Sequence, residues 1–120
     1  MPEHAEVAIF EDEERAINEL QRLLTTAGHK IVGNIAANRE EAEELIRRII
    51  TGEITPDVIL LDHHLTKITG VEVTAQLQKH ESVIPTIGTS ITPRKQYYAD
   101  HLVPKWSSEF RQIAEFINDL

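Results

Sequence analysis

A chain of 120 residues and 13.6 kDa is the size of one domain, spanning residues 1–120, and it can build a core without disulfide staples. Its 41% hydrophobic and 27% charged residues make a globular mix, and the lack of cysteine excludes disulfides, thiolate metal sites and thiol catalysis. With 12 basic against 20 acidic residues the net charge is −8, which argues against nucleic acid as a partner.

The longest aliphatic run, Val58-Ile59-Leu60-Leu61, is too short to span a bilayer. The Met-Pro-Glu-His start lacks the basic and apolar regions of a signal peptide, so the expectation is a cytoplasmic protein without a membrane partner. Charge is unevenly spread: residues 1–60 hold 13 acids and 6 bases, residues 61–120 hold 7 and 6. Solvated helices explain most of that excess, but the run Glu11-Asp12-Glu13-Glu14 directly follows an apolar stretch.

In chain order, Val7-Ala8-Ile9-Phe10 reads as a strand covered on both faces. From Glu14, the spacing of Ala16, Ile17, Leu20, Leu23, Leu24 and Ala27 predicts a helix that Gly28 ends. Lys30 to Ala36 reads as a second strand. Asn38 then caps a second helix, with Glu41 reaching back and Ala42, Leu45, Ile46, Ile49 and Ile50 as its buried stripe. Pro56 to Asp62 is the strongest strand. After a loop over 63–69, Gly70 opens a third helix with Val71, Thr74, Ala75 and Leu77 on one side. Pro85 to Ser90 and His101 to Val103 predict two more strands. Ser107 or Ser108 caps a last helix that turns Phe110, Ile113, Ala114 and Ile117 inward. Strict alternation of five strands and helices predicts an α/β, doubly wound parallel sheet.

In such a sheet, ligands sit at the carboxyl ends of the strands, where strand order reverses. Glu11 and Asp12 end the first strand, Asp62 the third and Thr89 with Ser90 the fourth, while the fifth runs into Lys105. Carboxylates converging there repel one another without a cation, and an all-oxygen ligand set suits Mg²⁺. Lysine and hydroxyl on the other side of Asp62 suit an anionic group attached there, as in a phosphorylation site with a carboxylate nucleophile. A plainer reading also exists: Glu11 and Asp12 cap the first helix. His63 and His64, leaving a strand in different directions, are poorly placed to share one metal ion.

The order Phe10-Glu11-Asp12-Glu13, then Pro56 to Asp62, then Leu65 and Gly70, resembles the receiver domain of bacterial response regulators over essentially the whole chain. The resemblance implies a CheY-like, flavodoxin-like sheet of order 2-1-3-4-5. It implies that Asp62 accepts a phosphoryl group from a histidine kinase or phosphotransfer protein, with Mg²⁺ held by Glu11, Asp12, Asp62 and the backbone carbonyl of His64. Lys105 matches the family's lysine, and Ser90 its switch hydroxyl by register from Pro85, with neighbouring Thr89 as the alternative. The His64 side chain, beside the acceptor, is placed to modulate water access to the phosphoryl bond.

Three features depart from that pattern. Glu11 stands where aspartate is usual, Trp106 rather than proline follows Lys105, and the stretch from Ser90 to Lys105 is short by about seven residues, roughly two helical turns. The fourth helix is therefore expected to be shortened or missing, and Tyr97, Tyr98 and Trp106 either plug the gap or form a surface for a downstream protein or a second copy. A stand-alone receiver that is not a turnover enzyme is the leading expectation. An unphosphorylated pseudo-receiver serving as a binding or dimerisation module is the first rival. The second is a small phosphatase or phosphotransferase, weakened because His64 replaces the second acid such an enzyme needs.

Overall fold

The structure is a computed structural model that describes residues 4–90 and 98–120. Seven strands and five helices are present among them: β1 (Glu6–Phe10), α1 (Glu14–Thr26), β2 (Lys30–Ile31), α2 (Arg39–Ile50), β3 (Val58–Leu61), β4 (His64–Leu65), β5 (Ile68–Thr69), α3 (Gly70–Lys79), β6 (Thr86–Gly88), β7 (His101–Leu102), α4 (Ser108–Arg111) and α5 (Ile113–Asn118). Five strands form a parallel sheet in the order β2-β1-β3-β6-β7. With the β4–β5 hairpin set aside, that is the predicted 2-1-3-4-5 order.

Both faces of the sheet are covered, so its central strands read as unbroken apolar runs. Alternation sorts their side chains. Ala8, Phe10, Ile59 and Leu61 join α2 and α3 in one core, while Val7, Ile9, Val58 and Leu60 join α1, α4 and α5 in the other. The register pairs Phe10 with Leu61, and the Asp62 amide donates to the Phe10 carbonyl at 2.9 Å. Glu11 and Asp62 therefore leave the same sheet end together.

The second-helix cap forms largely as expected: Asn38 Oδ1 accepts from Glu41 N at 2.8 Å, and Glu41 Oε1 accepts from Ala37 N at 2.9 Å. Ser107, of the two candidates, caps α4 by accepting from Phe110 N. Other boundaries differ. The second strand stops at Ile31, because Gly33 takes φ +75° and turns the edge away, and pairing resumes only as a Phe10–Ala36 bridge. The third helix buries Gly70, Val73 and Leu77, leaving Val71 41% exposed and Ala75 exposed. Thr69 sets that phase by capping Glu72 N while Gly70 lies against Tyr98. The predicted loop over 63–69 contains the antiparallel β4–β5 pair, and the last helix breaks at Gln112 into two short ones.

The expected shortening of the fourth helix falls on residues 91–97, outside the described residues, as does Tyr97. Residues 98–100, which follow, are not helical.

Candidate phosphoryl-acceptor site

At the carboxyl end of the sheet, Glu11 is fully buried and Asp62 is 5% exposed. Between them lies the ammonium of Lys105, 2.9 Å from Glu11 Oε2 and 3.2 Å from Asp62 Oδ2. Burial alone would depress this lysine, but its hydrogen bond to Glu11 and the charges of both carboxylates outweigh that and raise its pKa above the ordinary lysine value. Glu11 responds in the opposite sense: burial first, then repulsion from Asp62, pushes it up to about 7 against the pull of Lys105.

The plainer reading of Glu11 and Asp12 as caps of the first helix does not hold: α1 is capped at Glu13 with no side-chain hydrogen bond, and Glu11 instead folds over the turn before the helix. Its Oε2 accepts from Asp12 N at 3.1 Å and from Glu13 N at 3.0 Å. Oε1 lies 2.9 Å from the Lys105 ammonium yet is buried without a properly directed hydrogen-bond donor. The Lys105 ammonium thus offsets the charge of Oε1 without a well-aligned hydrogen bond to it. Glu11, Asp12 and Asp62 each bring an oxygen within 4.8 Å of the others. A set of three carboxylates without a nitrogen or sulfur ligand would suit Mg²⁺, a hard cation that takes oxygen ligands.

Thr89 and Ser90 follow β6 directly and both are buried. The Ser90 amide donates to Tyr98 Oη at 3.2 Å, and the phenol donates to the Leu61 carbonyl, also at 3.2 Å. Tyr98 is 5% exposed, so its side chain does not form a partner surface in this conformation; it plugs the core. Its ring occupies a slot that only glycines could leave open. A Cβ on Gly88 would stand 2.7 Å from Tyr98 Cζ and Oη, and one on Gly70 2.7 Å from Cδ2. Burial raises the phenol pKa to about 12. No periodicity in the sequence announces this contact, although two glycines facing one aromatic is the trace it leaves.

Trp106 takes φ +67° immediately after Lys105. Its half-buried ring meets Phe110 edge-on at 5.3 Å and carries the Arg15 guanidinium at 4.4 Å. His63 and His64 do not diverge as expected: their rings meet edge-on at 4.6 Å. His63 also packs on Tyr98, and burial, then the neighbouring His64, lowers its pKa. The His64 side chain is exposed. A contact absent from the sequence reading joins Thr66 Oγ1 to Asp12 Oδ2 at 3.3 Å across 54 positions of chain.

The family model described as the response regulator receiver domain matches residues 7–104. The match stops one residue short of Lys105, whose place in the site rests on its two carboxylate contacts. No curated protein matches the chain. Among solved structures, the chain is similar to a LuxR-family DNA-binding response regulator from Staphylococcus aureus, with 24% identity, TM-score 0.75, and 96% of this chain and 97% of that one covered. It is similar to the response regulator TrrA from Thermotoga maritima in complex with Mg²⁺ and BeF, with 24% identity, TM-score 0.76 and coverage of 95% and 96%. The receiver domain of a Pseudomonas aeruginosa sensor histidine kinase, with magnesium in its active-site cleft, aligns at 14% identity, TM-score 0.79 and coverage of 97% and 96%. These identities establish a common fold, and the family match over 7–104 places the chain in the family: it belongs to the response regulator receiver domains.

Proposed function

We propose that this receiver domain accepts a phosphoryl group on Asp62 from a phosphohistidine of a histidine kinase or phosphotransfer protein. The observation that carries the reading is the Lys105 ammonium held between Glu11 and Asp62, beside Asp12, at one end of the sheet. One carboxylate oxygen of Asp62 forms the new O–P bond while the P–N bond of the donor imidazole breaks, and the leaving imidazole keeps that electron pair and picks up a proton. Glu11, Asp12 and Asp62 would hold Mg²⁺, which supplies neutralisation of phosphoryl oxygens. Lys105 pairs with the acyl phosphate, whose charge is about −2, and gives up part of its hold on Asp62 in doing so. Ser90, or Thr89 beside it, is the hydroxyl for a phosphoryl oxygen. The domain transmits the change through protein contacts rather than by turnover, and the Trp106 neighbourhood is the proposed contact region for a downstream protein or a second copy.

The test is incubation with Mg²⁺ and acetyl phosphate followed by intact mass. The reading predicts a single phosphoryl adduct that requires Mg²⁺ and is absent from Asp62→Asn. Steady release of phosphate without an adduct would favour a small phosphatase instead. Neither adduct nor release would favour a constitutive binding module, a reading supported by the altered loop in which Trp106 follows Lys105 at φ +67°.

A further inference from the structure

Asp12 is the exposed member of the three-carboxylate cluster, so nothing in the core holds its side chain. The hydroxyl of Thr66 does reach it, with Oγ1 donating to Asp12 Oδ2 at 3.3 Å. Thr66 itself is fixed from another direction. Its amide donates to the Ala37 carbonyl at 3.2 Å, and its carbonyl accepts from Arg39 N at 2.9 Å, which bridges the turn to the start of α2. The Arg39 side chain continues the brace, donating through Nε to the Lys67 carbonyl at 2.8 Å and through NH2 to Glu72 at 2.7 Å. The turn that presents Thr66 is thus tied to α2 and α3, and the hydroxyl is delivered to Asp12 with its position already set.

We infer that Thr66 is a positioning residue for the metal site, orienting the Asp12 carboxylate through its hydrogen bond to Oδ2. This rests on the Mg²⁺ reading above. A hydrogen bond to a ligand carboxylate fixes its rotamer before the ion arrives, which spares the ion that ordering cost. The backbone contacts of Thr66 do not depend on its side chain, so Thr66→Val removes the hydroxyl alone and keeps a β-branched residue in place.

The experiment is Mg²⁺ titration of the full chain by calorimetry, with amide chemical shifts near Asp12 as a second readout. Thr66→Val is expected to weaken Mg²⁺ binding about 3- to 10-fold, below the roughly 10- to 100-fold usual for outer partners of metal ligands because both residues are exposed. Thr66→Ser is expected to bind within about twofold of the parent protein, with all three sharing one melting temperature. Unchanged or tighter binding by Thr66→Val, or equal weakening by Thr66→Ser, would overturn the inference while leaving the metal site intact. Binding unaffected by Asp12→Ala would overturn the metal reading together with it.

Discussion

The slot around Tyr98, beside the candidate site, supports a quantitative perturbation. A methyl group at Gly88 would stand 2.7 Å from Cζ and Oη of Tyr98 and 2.9 Å from Leu102 Cδ2. The flexible end of Leu102 can move, but the Tyr98 ring cannot easily, because Oη is hydrogen-bonded on both sides. Overpacking of this kind costs about 1–3 kcal/mol. At roughly 4 °C per kcal/mol for a domain of this size, Gly88→Ala should lower Tm by about 4–12 °C. Tyr98→Leu deletes the two atoms that clash, so in that background the same Gly88→Ala change should cost less than about 1 kcal/mol. Urea unfolding of the four proteins measures the cycle, and a coupling of at least about 1 kcal/mol is expected. Additivity within about 0.5 kcal/mol would refute the slot.

Tyr98→Phe removes only the hydroxyl. The Leu61 carbonyl keeps the Thr89 amide at 3.0 Å, but the buried Ser90 amide loses its acceptor, and urea unfolding should register a loss of about 1–3 kcal/mol. Because burial lifts the Tyr98 phenol from 10.0 to about 12, the native state holds a proton that the unfolded chain has released. This group's contribution to stability therefore falls as pH rises from about 10 to 12, and alkaline unfolding curves of Tyr98→Phe should lack that component. Lys105→Met leaves Glu11 and Asp62 as uncompensated buried neighbours, and should destabilise the Mg²⁺-free protein by about 3–5 kcal/mol in denaturant unfolding, with added Mg²⁺ restoring part of the loss. His29, which accepts from Ala5 N at 2.8 Å and faces the Ala114 carbonyl at 3.3 Å, ties the start of β1 to α5. His29→Leu should cost about 1–3 kcal/mol, with early loss of hydrogen-exchange protection at Ala5.

The sheet order and the convergence of Glu11, Asp12 and Asp62 were legible because each depends on local pattern. Apolar runs define β1 and β3, and the acids stand at their ends. The phase of α3 was not legible, since Val71 and Val73 are equally plausible by composition and a tertiary contact at Gly70 decides between them. Tyr98 was read as a surface or a plug because its partners, Leu61, Gly70, Gly88 and Ser90, come from three other segments. His63 and His64 illustrate the limit of strand alternation: a turn follows Asp62, and rings expected to part come together. Thr66 left no sequence signal, because its contact with Asp12 depends on how α2 anchors the turn.

The central claim is chemical, that Asp62 carries the phosphoryl group as an acyl phosphate. Borohydride reduction of the protein after Mg²⁺ and acetyl phosphate treatment, followed by peptide sequencing by mass spectrometry, tests it directly. Reduction cleaves an aspartyl phosphate and leaves homoserine in its place, so the account predicts homoserine at position 62 and aspartate at positions 12, 57, 100 and 119. Homoserine at another of these positions, a phosphoryl group resistant to borohydride on His63 or His64, or unmodified Asp62 under conditions that phosphorylate a control receiver, would contradict it.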